Sequence, residues 1–157
     1  MSARLVVESP VGRLVLVGDE TSVTELLLPN SGAARSGGSK GRTPAAVRRA
    51  ATQLDGYFGG RRTAFDLPLA PSGTPFQLDV WLALSDIPYG ETISYAELAR
   101  DVGRPTAYRA VGQANGANPL PIFYPCHRVV ASGGGLGGYG GGLDVKRRLL
   151  ELEGRDV

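Results

Sequence analysis

The chain has one cysteine, one histidine, one methionine and one tryptophan in 157 residues. A single cysteine excludes an internal disulfide, and with it a disulfide-stapled secreted scaffold. One Cys and one His cannot supply a Cys/His zinc site. A peroxidatic or dithiol redox cycle needs a resolving thiol, and the sequence has none. No apolar run approaches the ~20 residues that span a bilayer. The opening Met1-Ser2-Ala3-Arg4 carries no secretory pattern, so a soluble, cytoplasmic protein is expected. Excess charge is also missing. The formal net charge is +2, with nine Lys/Arg against six Asp/Glu over residues 1–72 and eight against seven over residues 91–157. That balance excludes a charge-driven nucleic-acid binder, so any DNA contact must come from shape and a few placed groups. No paired carboxylates stand out for glycoside chemistry.

What is abundant is glycine, 23 residues, about twice the usual share of ~7%. With 42% hydrophobic and 20% charged residues, the chain folds rather than staying disordered, and it is long enough for one domain or two small ones. Leu5-Val6-Val7 and Leu14-Val15-Leu16-Val17 flank the hairpin-type turn Ser9-Pro10-Val11-Gly12, and Val23 to Leu28 gives a third strand. Asn30 to Thr43 reads as a flexible loop. Pro44 suits the first turn of a helix whose face carries Ala46, Ala50, Leu54, Tyr57 and Phe58, with Gly59-Gly60 as its stop. Ala64 to Leu67 fits a short strand. The Pro-, Ser- and Gly-punctuated stretch Pro68 to Pro75 marks a domain boundary, which divides the chain into residues 1–72 and 73–157.

The second half changes character. Phe76, Val80, Trp81 and Leu84 mark an amphipathic helix ending near Pro88-Tyr89-Gly90. Ser94 and Glu97 form a capping box at the start of a helix Tyr95 to Val102. Gly103-Arg104-Pro105 breaks it, and Thr106 is placed to cap a helix from Ala107 to about Asn115. This is the outline of a helix-turn-helix, and also of an ordinary packed helix pair. A final amphipathic helix, Lys146 to Glu153, turns Leu149, Leu150 and Leu152 inward.

The only Cys and the only His are neighbours, Cys126-His127, between the rigid Pro125 and Arg128. A lone Cys is often a small buried hydrophobe, but a nearby basic group favours the thiolate, and Arg128 adds positive charge. Ser132 to Gly142 holds eight glycines among eleven residues. It lacks the Gly-Lys-Ser/Thr ending of a phosphate loop, and its Leu136, Tyr139 and Leu143 are spaced to dock back on the core. Glycine there lets backbone approach a flat ligand closely. A nucleophilic Cys without a resolving partner suits a transfer that stops on the Cys.

Ile122 to Val130, centred on Pro125-Cys126-His127-Arg128-Val129-Val130, resembles the active-site signature of O6-methylguanine-DNA methyltransferases. Ile87-Pro88-Tyr89-Gly90-Glu91-Thr92-Ile93-Ser94-Tyr95 also resembles the family, as do Arg109-Ala110-Val111-Gly112, Asn118-Pro119, Gly138-Tyr139, Gly141-Gly142-Leu143 and Lys146. The resemblance implies an N-terminal α/β domain, a ribonuclease-H-like three-stranded antiparallel sheet with a helix. A mainly α C-terminal domain with a winged helix-turn-helix would follow it. It implies stoichiometric, single-turnover transfer of an alkyl group from guanine O6, and from thymine O4, onto Cys126. In that scheme His127, oriented by Glu153, relays the thiol proton through a water. Tyr95 donates to guanine N3, and Asn118 braces the backbone near the Cys. The Gly140 N–H points at O6, and the carbonyls of Cys126 and Val129 accept from the guanine amine. Tyr95, Val129, Tyr139 and Gly140 thus line the base pocket. The recognition helix lies in the minor groove of double-stranded DNA through Ala107, Tyr108, Ala110, Gly112 and Ala114, and Arg109 fills the gap left by the flipped base. No cofactor, metal or membrane partner is implied, and a monomer is expected in solution, with clustering on DNA left open. Two residues depart from the family pattern: Tyr108, where a small residue is expected, and Gly140, where Ser or Ala is frequent. The rivals are a lesion-binding relative that flips and flags damaged bases without transfer, whose Trp stands where this chain has Cys126, and a small transcription regulator.

Overall fold

The apolar runs on either side of Pro10-Val11 pair as an antiparallel hairpin, β1 (Ala3–Ser9) with β2 (Gly12–Gly18), in the register Ser9↔Gly12 through Ala3↔Gly18. The Ser9 hydroxyl closes the turn by donating to Gly12 O at 2.7 Å, and Gly12 takes φ +114°, which only glycine adopts readily. β3 (Val23–Leu27) adds on the other edge of β2, giving the order β1-β2-β3. The central position of β2 explains why Leu14, Val15 and Leu16 are all fully buried. Against the sheet packs α1 (Ala45–Phe58), which buries Ala46, Val47, Ala50, Leu54 and Tyr57 at three- and four-residue spacing. Pro44 stands one residue before this helix, as its extended N-cap.

A computed structural model describes residues 2–31 and 37–157 in two compact units, Met1–Ser72 and Gly73–Val157. Part of the loop expected over residues 30–43 therefore lies outside the described residues. The short strand expected at Ala64 to Leu67 does not form. The Gln53 amide satisfies the Asp66 backbone in its place, accepting from Asp66 N at 2.9 Å and donating to Asp66 O at 3.0 Å. Pairing is displaced to a single parallel bridge between Val23 and Leu69.

In the second unit α2 (Pro75–Leu84) starts at a capping box of Thr74 and Gln77 with Pro75 in its first turn. It ends at Leu84, earlier than the Pro88 region, because Ser85, Asp86 and Ile87 tighten into successive three-residue turns. The two-residue β4 (Ile93–Ser94) leads into α3 (Tyr95–Asp101), capped by Ser94 and Glu97 as expected. Gly103 at φ +76° ends α3, with Gly103 N on Arg100 O and Arg104 N on Ala99 O. These paired bonds satisfy the carbonyls at the helix end and turn the chain sharply. α4 (Tyr108–Gly116) follows, with Ala107 in the N-cap position and no side-chain cap. Thr106 is not the cap, because the helix starts one residue later and puts Ala107 in the N-cap position. The single tryptophan ties α2 to α4, since buried Trp81 Nε1 donates to Ala114 O at 2.8 Å. A 3-10 turn, Cys126–Arg128, runs into β5 (Val129–Val130), which pairs in parallel with β4. α5 (Leu143–Leu152) begins three residues before the expected Lys146 and buries Val145, Lys146, Leu149 and Leu150. The second unit is thus mainly helical and consistent with a winged helix-turn-helix. Among the described residues no helix is long and apolar enough to cross a membrane.

Candidate active site

The loop before Cys126 is built by one asparagine. Asn118 Oδ1 accepts from Leu120 N at 2.9 Å, its Nδ2 donates to Tyr124 O at 2.8 Å, and the same side chain hydrogen-bonds the Cys126 sulfur. Within this loop the buried Ile122 takes φ +75°, a conformation unfavourable for a β-branched residue. Cys126 itself is 4% exposed, with Tyr139 Oη 4.0 Å from Sγ. Burial pushes the thiol up from its ordinary range. The hydrogen bonds from Asn118 and Tyr139 and the charge of Lys146 pull it back down in part.

His127 and Glu153 have fully buried side chains, with His127 Nε2 2.8 Å from Glu153 Oε2. The carboxylate accepts, so Nε2 carries the hydrogen and Nδ1 is left as an acceptor. Nδ1 makes no hydrogen bond to the protein. Burial lowers the His127 pKa, with Glu153 opposing and the charges of Arg128 and Lys146 reinforcing the drop. The direction of that shift favours the neutral ring. His127 was expected to favour the Cys126 thiolate by adjacency, but its ring is committed to Glu153. The hydrogen bonds on the sulfur come from Asn118 and Tyr139. Arg128 likewise does not give its charge to the thiol. Its Nε and Nη2 bind Glu153 Oε1 and Oε2 at 2.8 and 2.9 Å, and Nη1 donates to Ile87 O at 2.6 Å.

Tyr95, the first residue of α3, lies between two glycines. A side chain on Gly112 would touch its ring at 3.7 Å, and one on Gly137 would press it at 3.0 Å. Its hydroxyl donates to Gly138 O at 3.3 Å, and its pKa is raised by burial first and by Cys126 second. Lys146 sits beneath this glycine segment with no exposed surface. Its Nζ donates to Val129 O at 2.7 Å and to Gly138 O at 3.1 Å, and lies 5.9 Å and 5.8 Å from the Tyr95 and Tyr139 ring centroids. Burial lowers its pKa from 10.5 to about 8. The Cys126 carbonyl, expected to face a ligand, accepts from Val129 N and from Asn115 Nδ2, the latter at 3.4 Å. Gly140 has no side chain to fill the space beside it. A Cβ there would come no closer than 3.6 Å to Gly116 O.

The structure thus brings Cys126, Asn118, Tyr139, Tyr95 and Val129 together with His127 and Glu153. On α4, Tyr108 is 52% exposed, Arg109 and Ala110 are exposed, and Ala107 is half-buried. One member of the expected DNA-facing set points elsewhere. Ala114 is buried, with its carbonyl on Trp81, because it lies on the side of α4 that carries Val111 and Asn115, whereas Gly112 is half-buried and stands beside the Tyr95 ring. Three residues with buried polar contacts at the site were not singled out from the sequence: Arg128 as a partner of Glu153, Lys146 as a loop anchor, and Asn115. Lys146 was detectable, since it falls on the same stripe of α5 as Leu149 and Leu150, where a charge has no place without a partner. Among the described residues no cluster of three His, Cys, Asp or Glu side chains is placed to hold a metal.

Comparison with known proteins gives a consistent picture. Residues 4–71 match the family model for the 6-O-methylguanine DNA methyltransferase ribonuclease-like domain, and residues 75–155 match that for the DNA binding domain. The chain is 48% identical over 155 residues to a methylated-DNA–protein-cysteine methyltransferase of Methanosarcina barkeri, covering 94% of each chain. It is also 48% identical over 149 residues to that of Mycolicibacterium paratuberculosis, covering 95% of this chain and 90% of the relative. The crystal structure of Mycobacterium tuberculosis OGT in complex with DNA superposes with a TM-score of 0.85 at 46% identity, over 96% of this chain and 91% of that one.

Proposed function

Because the chain belongs to the O6-methylguanine-DNA methyltransferase family and is a DNA-binding repair protein that transfers an alkyl group to a cysteine, we propose that Cys126 is the acceptor. In the same reading His127, Glu153, Tyr95 and Asn118 carry the transfer. The thiol proton passes to His127 Nδ1 through a water. Sγ attacks the alkyl carbon in line, the C–S bond forms as the C–O6 bond breaks, and the electron pair leaves on the guanine. Tyr95 donates to guanine N3 and offsets that charge. The product is a thioether, which water does not cleave, so each molecule acts once. Tyr108, Arg109 and Ala110 meet the minor groove, with Arg109 occupying the space of the extruded base.

The observation that carries this reading is a buried Cys126 thiol followed directly by His127, whose buried ring is held by Glu153. The imidazole Nε2 is fixed by Glu153 and its Nδ1 is left as an acceptor. Glycines 137, 138 and 140 leave the adjoining Tyr95–Tyr139 wall free of side chains, as a flat base requires. The test is intact mass after incubation with duplex DNA containing O6-methylguanine. The expected gain is one methyl, about 14 Da, mapping to Cys126 and absent in Cys126→Ser. Tight binding with unchanged mass would instead mark a lesion binder.

A further inference from the structure

Arg128 takes no part in the proton path just described, yet it is the most fully engaged cation of the site. Its guanidinium is buried, holds both oxygens of Glu153 at 2.8 and 2.9 Å, and is fixed from behind by Ile87 O at 2.6 Å. The Tyr89 ring centroid lies 5.8 Å away. Oε2 of the same carboxylate meets His127 Nε2 at 2.8 Å. A carboxylate this close to an imidazole in a dry interior draws a proton onto the ring, since opposite charge stabilises the charged form. An imidazolium has no lone pair left for a thiol proton. The charged and titratable groups facing His127 are Lys146 from α5, Glu153 at its C-cap, Arg128 from its own 3-10 turn, and the adjacent Cys126. One anion is therefore set against two cations, and Arg128 is the one bound to that anion.

We propose that Arg128 is a positioning residue of the transfer: by holding both Glu153 oxygens it orients the carboxylate on Nε2 while cancelling its charge, which keeps His127 in the neutral, proton-accepting form. The proposal rests on the reading of His127 as the acceptor of the thiol proton. A guanidinium suits this role better than an ammonium, because its planar fork matches both carboxylate oxygens at once. The same groups account for the direction of the His127 shift, in which burial comes first, Glu153 opposes it and Arg128 adds to it.

The chain has a single histidine, so its imidazole resonances report on His127 alone in the untagged protein. In wild type the ring is expected to stay neutral through the physiological range. In Arg128→Met, which keeps a long apolar stem, the titration midpoint is expected to rise by about one to two pH units. The transfer rate at about pH 6.5 then falls about tenfold for each unit by which the midpoint comes to exceed that pH, and the deficit closes as the pH approaches about 9. Arg128→Lys keeps the charge and should titrate near wild type. A midpoint unchanged in R128M, or a rate lost equally at every pH, overturns the proposal and leaves Arg128 a structural residue. If R128M does not fold, E153Q and the double variant R128M/E153Q supply the same comparison, since the double variant strands no buried charge. The double variant should titrate higher than E153Q, and equal midpoints overturn the proposal. Failure of the functional reading looks different: wild-type protein would then gain no alkyl mass on Cys126, whatever the histidine titration.

Discussion

Replacing Lys146 by Met should separate stability from activity. The ammonium is fully buried, and its pKa of about 8 against 10.5 measures how far the folded chain disfavours the charge. That difference corresponds to roughly 2–3 kcal/mol at neutral pH. Met removes this penalty but withdraws the donor from Val129 O, at a cost of about 1–3 kcal/mol. Gly138 O retains the Tyr95 hydroxyl. The terms nearly cancel, so K146M should unfold within about 2 kcal/mol of wild type near neutral pH. The pH dependence gives a second check. The unfolded chain holds this proton up to pH 10.5, whereas the folded chain releases it near 8. Wild-type stability is therefore held down below pH 8 and rises relative to K146M between pH 8 and 10.5. Transfer should respond differently. Lys146 is the cation that pulls the Cys126 thiol down and ties Gly138 to β5, so K146M should transfer at least about tenfold more slowly. Denaturant midpoints at several pH values and single-turnover alkylation followed by intact mass measure both quantities. A loss of more than about 4 kcal/mol, or transfer at the wild-type rate, would refute the reasoning.

Other perturbations probe different parts of the molecule. Arg109→Ala removes an exposed side chain of α4, so it should leave stability unchanged. It should slow transfer from duplex DNA far more than from free O6-alkylguanine, as rates on the two substrates will show; equal loss on both would contradict a base-extrusion role. Trp81→Phe withdraws the donor from Ala114 O and should cost about 2–4 kcal/mol in denaturant melts, through an unsatisfied carbonyl and a small cavity under α4.

Much of the architecture was legible because local chemistry and tertiary demand agree. The Ser9 to Gly12 turn, the Ser94 and Glu97 box and the Gly103 break each satisfy backbone groups within a few residues, and such signals survive in any context. What escaped was tertiary. Nothing local in Ala64 to Leu67 says that Gln53 will take its hydrogen bonds, and an apolar run without a neighbouring strand does not become one. Thr106 is a good cap by type, but the helix starts one residue later, with Ala107 in the N-cap position. At the site, Cys126, His127, Asn118 and Tyr95 carried recognisable motifs. The roles of Arg128 and Lys146 depend on partners 25 and 17 residues away in sequence. The small residues of α4 divide between its two sides, which residue size alone does not reveal.

The burial of Cys126 bears on chemical selectivity. A thiol that can be used once is lost to any electrophile that reaches it first. Here Cys126 is 4% exposed and its pKa is raised by burial, so in the resting protein both access and thiolate fraction are low. Freely diffusing alkylating agents and oxidants meet an unreactive side chain. A substrate that fills the cleft and brings its own leaving group to Sγ meets a proton acceptor, an anion partner and a dry environment together. With Cys126 as the acceptor proposed above, this arrangement would spare the thiol from freely diffusing electrophiles and keep it for a docked lesion.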